Sequence, residues 1–333
     1  MKKLVAILLL LSLVMGLAAC GGPAAKEYKL GMGTTVSLAS SSDTKAQVDA
    51  TIAAVVLDKD GKIVACRIDV AQNKMDVTDG QVDTAKTFLT KFELKEDYNM
   101  VAFSNATLEW YEQAKNFEDY CVGKTAAEIS GIETVVNDEG HTVAVDESLY
   151  AGCSISISEF QEAVVKACND EQGQTFTASG DITLGLAINS TADESTAATA
   201  ENNGVVKMYS EYAAVVMGAD GKIISALTDA IQPQITIDEN GAIVDTTFRG
   251  TKRELKEDYN MVAYSNATLE WYEQAKNFVD YAAGKTPAEL QGVETVINDE
   301  GYEVFADEAL YASCSISIDG MTAVLVKAAG YAR

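Results

Sequence analysis

Glu109 and Gln113 stand four residues apart, and the same pair recurs as Glu270 and Gln274. On a helix that spacing puts both side chains on one side, where they can hold the polar edge of a ligand or simply face water. Trp110 and Trp271, the two tryptophans of the chain, sit beside them. Each heads an apolar stripe, which reads first as core. Tyr98 and Met100, with Tyr259 and Met261, lie in the loop ahead of this helix, a place for ligand contacts or for plugs over the core. Cys153 and Cys314 stand among serines in Gly152-Cys153-Ser154-Ile155-Ser156 and Ser313-Cys314-Ser315-Ile316-Ser317. A reactive thiolate wants basic neighbours and these surroundings are acidic, so a small buried thiol is the plainer reading. His141 is the one histidine and is matched by Tyr302, so no histidine base or Ser-His-Asp set is common to both places. The absence of CxxC and Cys/His pairs argues against zinc.

These residues recur because the chain contains itself twice. Glu93–Phe117 and Glu254–Phe278 agree at 24 of 25 positions, Phe103 against Tyr264 being the difference. The offset of 161 residues persists to the end of the chain, while the first halves of the units have diverged. Cys66, Cys121 and Cys168 face Ala226, Ala282 and Ala329, and only Cys153 has a partner, Cys314. A disulfide framework needed by each unit would have survived in both.

The elements that must position these residues can be read along each unit. A strand-like run (Leu30–Leu38; Ile182–Ile188) precedes a hairpin, Ala50–Leu57 and Lys62–Val70 around Asp58-Lys59-Asp60-Gly61, matched by Val205–Met217 and Lys222–Ala230. Trp110, Ala114, Phe117 and Cys121 mark one face of a helix that Ser104 or Asn105 can cap and Gly123 ends. Thr125/Glu128 and Thr286/Glu289 are capping boxes. A second hairpin turns at Asn137–Gly140, Tyr150–Ile157 alternates as a strand, and a last helix starts at Ser158 or Asp319. The fold class expected is α+β: two tandem copies of a mainly antiparallel-sheet domain with about three helices each.

Two segments resemble the FMN-binding domain family, found in flavin-carrying subunits of sodium- and electron-pumping complexes and in extracellular electron-transfer lipoproteins. Lys95-Glu96-Asp97-Tyr98-Asn99-Met100, followed by Glu109-Trp110 and Gln113, is similar to that family's K-x-x-x-Y-G-M … E-W-x-x-Q stretch. Gly152–Ser156 sits where the family carries S-G-A-T, whose hydroxyl takes the FMN phosphate. The resemblance implies FMN as cofactor, with Ser154 and Ser315 at the attachment position. It also implies Tyr98, Met100, Glu109, Trp110, Gln113 and their copies Tyr259, Met261, Glu270, Trp271 and Gln274 around the flavin, a tryptophan stacking on its ring. The family wants an aspartate six residues before the acceptor, where this chain has Ser148 and Ala309, and a glycine where it has Asn99 and Asn260. Those departures count against a covalent flavin. Two functions stay open: flavin-based electron transfer to a redox partner at the cell surface, or a non-redox binding or structural module that has lost flavin.

The first residues give an expected location. Lys2-Lys3, the apolar run Leu4–Gly16 and Leu17-Ala18-Ala19-Cys20 resemble a bacterial lipoprotein signal. Residues 1–19 would be removed, Cys20 lipidated, and 20–28 left as a tether, placing the chain outside the cytoplasm and on the membrane through its lipid. Loss of two lysines leaves 23 basic against 50 acidic residues, a charge that repels nucleic acid. The expected domains are a repeat at 29–168, a polar linker at 169–181 and a second repeat at 182–333.

Overall fold

The computed structural model describes residues 24–333; the expected signal segment and Cys20 lie outside the described residues. In the first half, β1 (Lys26–Ser37), β2 (Lys45–Asp58) and β3 (Ile63–Asp76) form an antiparallel meander. Gly61 supplies the positive φ of the β2–β3 turn while Asp58 accepts from the N–H groups of Asp60 and Lys62. Then come α1 (Lys91–Leu94), α2 (Met100–Phe103), α3 (Trp110–Cys121), α4 (Ala126–Ser130), the hairpin β4 (Thr134–Val136) and β5 (Thr142–Ala144), α5 (Glu147–Gly152) and α6 (Ser158–Cys168).

A strand β6 (Gln174–Ala178) leads to the second half. There β7 (Ile182–Thr191), β8 (Gly204–Lys207), β9 (Tyr209–Gly218), β10 (Ile223–Ile231), β11 (Gln234–Ile237) and β12 (Ile243–Thr247) precede α7 (Lys252–Leu255), α8 (Met261–Tyr264), α9 (Trp271–Ala282) and α10 (Pro287–Gln291). The hairpin β13 (Thr295–Ile297) and β14 (Glu303–Phe305), then α11 (Glu308–Ser313) and α12 (Asp319–Gly330), complete it.

The fold is α+β with a repeated sheet-based unit, and several elements differ from expectation. Among the described residues each half has six α-helical segments rather than three helices, because single turns such as α1 and α2 occupy stretches that read as loop. The segment 169–181, expected as a linker, holds β6, which pairs with β1 and extends that sheet to the order β3-β2-β1-β6. Tyr150–Ile157 is not a strand. Asp146 caps α5 by accepting the Leu149 N–H at 2.9 Å, so the chain is helical to Gly152 and then a loop. Val205–Met217 is two strands, since β8 leaves the β10-β9-β7 sheet to join β12-β11-β8. Pro233, which has no N–H to give a ladder, marks the matching break between β10 and β11. The cap of α3 is Glu109, with Glu112 reaching back to its N–H at 2.9 Å, rather than Ser104 or Asn105.

Burial among the described residues divides into three cores. One in each half lies between the sheet and its helices, around Phe117 and Phe160 in the first and Phe278 and Leu325 in the second. The third lies between the two sheets and is shared: Leu30, Ile52 and Val56 pack with Leu184, Tyr212 and Ile235. Alternation along each central strand therefore sends side chains to two different cores, which is why β2 is buried almost throughout. Gly31 and Gly185 let α6 and α12 lie directly on their strands; a Cβ there would collide with the carbonyl oxygens of Ala167 and Ala328.

The halves also hold each other at their ends. Lys166 of α6 reaches the Thr34 carbonyl (2.9 Å) and Glu254 (3.5 Å), and Lys327 of α12 reaches the Ile188 carbonyl (2.7 Å) and Glu93 (2.7 Å). At the neighbouring matched positions, Asp170 pairs with Arg253 at 3.0 Å, while Tyr331 packs edge-on to Phe92 with ring centres 5.3 Å apart.

Candidate functional site

The residues singled out from the sequence do converge, and they converge on each other. The Glu109 carboxylate accepts the Met100 N–H (2.9 Å) and the Val101 N–H (3.2 Å), fixing α2 against the start of α3. Glu270 does the same for Met261 (2.8 Å) and Val262 (3.3 Å). Gln113 is 1% exposed. Its oxygen accepts from the Ser154 N–H (2.8 Å) and hydroxyl (3.3 Å), and its nitrogen donates to the Leu108 carbonyl (2.9 Å). Gln274 binds Ser315 in the same way (2.7 and 3.2 Å) and the Leu269 carbonyl at 2.9 Å.

The tryptophan faces are taken as well. Trp110 is 2% exposed and meets Phe160 edge-on in the core. The ammonium of Lys91 lies 5.0 Å from the centre of the Tyr98 ring and 5.5 Å from that of Trp110. In the second half Lys252 sits 5.0 Å from each of Tyr209, Tyr259 and Trp271, an aromatic cage around a lysine of the chain itself. Burial lowers the Lys252 pKa to about 8.

This geometry does not fit a flavin phosphate on Ser154 or Ser315. A phosphate dianion needs N–H donors and cations around it. Here the Ser154 N–H is held by Gln113, the Cys153 N–H by the Leu149 carbonyl, and the carboxylate of Asp146 caps the helix just ahead. Cys153 and Cys314 are buried, and burial pushes both thiols up to about 12, so neither is a thiolate nucleophile. Among the described residues no group of three or more His, Cys, Asp or Glu is placed to hold a metal ion.

Three features were missed in the sequence. The lysines filling the cages, Lys91 and Lys252, stand just before the near-identical block and are themselves matched. Asp69 and Asp229 are also matched, on β3 and β10, and both are buried. Asp69 accepts from the N–H groups of Val70 and Phe92, and its other oxygen has no partner; burial pushes it up to about 7. Asp229 takes the Tyr212 hydroxyl at 3.2 Å, which in turn accepts from Thr34 across the shared core at 2.9 Å.

The third is open space between the halves, a cavity of about 590 Å³. Leu227, Leu269, Ala275 and Val279 give it an apolar side, and Arg253, Thr228, Asn277 and Lys276 bring polar groups. The matched place in the first half is built from charged groups. There Arg67 and Glu118 replace Leu227 and Val279, and Glu118, 2% exposed, binds Arg67 (3.5 Å), Arg333 (2.9 Å) and the Ile68 N–H (2.9 Å). Divergence of two core positions thus put an ionic cluster on one side and apolar residues lining a cavity on the other.

No family model matches the chain, and no solved structure matches it. The chain is similar to a protein named chlorophenol reductase from Desulfitobacterium hafniense, 28% identical over 168 residues, covering 44% of this chain. The match spans about half (51%) of that protein's length.

Proposed function

We propose that this chain is a small-molecule-binding protein, held outside the cytoplasm by lipid on Cys20, that takes its ligand without a covalent bond in the cavity between its halves. The observation carrying this reading is the contrast just described: about 590 Å³ of space with an apolar side and a few polar groups in one half, against an ionic cluster in the other. Drug-sized ligands occupy sites of roughly 300–1,000 Å³ with that balance of surfaces. The likeness to a protein named as a reductase supports a redox-related role as a second reading. A flavin, on that reading, would sit here non-covalently and exchange electrons with a partner at the cell surface.

The test uses protein beginning after Cys20, made with and without a flavin transferase and then acid-precipitated. No flavin fluorescence is expected in the pellet. Equilibrium dialysis against FMN and against 1-anilinonaphthalene-8-sulfonate, an aromatic anion, then asks what the cavity takes. Saturable binding of either, lost in Val279→Trp, is expected; FMN binding would favour the redox reading. Pellet fluorescence that disappears in Ser154→Ala plus Ser315→Ala would overturn the proposal.

A further inference from the structure

In the first half, Gln161 of α6 donates its side-chain N–H groups to the carbonyls of Ile129 (3.1 Å) and Ile132 (3.2 Å), at the end of α4. The matched residue in the second half is Thr322, too short to reach the matched carbonyls of Leu290 and Val293. Among the described residues no side chain replaces that contact. The space is a separate cavity of about 420 Å³ between α10, α12 and the β13–β14 hairpin. The Thr322 hydroxyl oxygen is buried there with no hydrogen-bond partner.

On the rest of the wall one carboxylate has been lost, Glu162 becoming Ala323, and two have been gained. Thr142 and Ser158 of the first half become Glu303 and Asp319, both lining the cavity. Glu303 accepts a hydrogen bond from Thr295 (2.6 Å) and Asp319 one from Ser317 (2.7 Å), and neither carboxylate has a basic partner among the described residues. The one lysine on the wall, Lys327, is committed elsewhere, to Ile188, Asn189 and Glu93. The cavity wall therefore carries two carboxylates, the Thr322 hydroxyl and Val293, whose counterpart Ile132 gives its carbonyl to Gln161, with Gln291 beside them. Glu303 is half-buried and Asp319 exposed, and carboxylates sharing a wall without a basic partner attract a cation.

We propose that this cavity binds a small organic amine in its protonated form, the ammonium taking the place that the Gln161 carboxamide fills in the first half. An ammonium offers three donors and the charge that Glu303 and Asp319 lack.

The sister unit supplies the control substitution. Titration calorimetry of the whole protein with putrescine should show saturable binding, with 1-butanol and butyrate giving none. Thr322→Gln, which reinstates the plug of the first half in a setting where that residue already folds, should weaken putrescine binding by about tenfold or more while leaving the melting temperature unchanged or raised. Glu303→Gln should weaken it about tenfold, the loss of one charge-assisted hydrogen bond. Absence of saturable putrescine binding, or binding that Thr322→Gln leaves intact in a folded protein, would overturn the assignment.

Discussion

Gln113 has every polar atom engaged and almost no exposure, so its removal strands its partners. Gln113→Ala leaves the Ser154 N–H and the Leu108 carbonyl unpaired, at about 1–3 kcal/mol each. Urea unfolding should register a loss of about 2–4 kcal/mol with an unchanged slope, and Gln274→Ala a similar one; a loss below about 1 kcal/mol would show the glutamines to be free for a ligand. Asp69 gives a pH signature. Burial raises its folded pKa to about 7, above the unfolded value, so its folded form holds its proton longer. The associated stability is complete at acid pH below the unfolded value and is lost as pH rises through about 7. Asp69→Asn should flatten the stability profile across that window, by up to about 4 kcal/mol at its upper end. At this scale the sequence singled out residues that the structure brings into contact with one another, and left their partners out. Tyr98, Trp110, Glu109 and Gln113 stood out by type and spacing, whereas Lys91, which covers the rings, looked like any exposed lysine. The matched Asp69 and Asp229 were the readable sign of buried polar groups in both units.

Elements with local causes were legible. The helix face from Trp110 to Cys121, the capping boxes at Thr125 and Thr286 and the turn at Gly61 depend on residues close in sequence, and they form as those residues dictate. Elements with distant causes were not. Alternation in Tyr150–Ile157 mimics a strand, but the helix started by Asp146 runs into it, and Cys153 and Ile157 are buried from a loop. Strand β6 looked like a linker because its partner, β1, lies more than a hundred residues earlier. The close seating of α6 and α12 on β1 and β7 can be tested directly. Gly31→Ala and Gly185→Ala each force a Cβ into a helix carbonyl and should cost about 2 kcal/mol or more. Gly61→Ala, where nothing lies within 4 Å and only the positive φ is strained, should cost about 1 kcal/mol. Thermal melts of the three variants should keep that order.

At the scale of the molecule, the shared core means that neither sheet is covered on both faces without the other. Heating should unfold both halves in a single transition with calorimetric and van't Hoff enthalpies equal. Two separated transitions would mean that the core between the sheets contributes little. Arg253→Ala, which leaves Asp170 buried without its cation, should lower that common transition by about 3–5 kcal/mol of stability.

The reciprocal contacts of Lys166 with Glu254 and Lys327 with Glu93 have a consequence for origin. Residue i of one copy touching j of the other, while j of the first touches i of the second, is the signature of an isologous, two-fold interface. This chain has the build of a homodimer whose subunits were joined end to end. While two identical subunits faced each other, every change appeared twice; once fused, each copy could vary alone. Asp170–Arg253 opposite Tyr331–Phe92, and Thr322 opposite Gln161, are the differences that such release from symmetry allows, and a single unit carrying one sequence throughout should assemble with a second copy of itself.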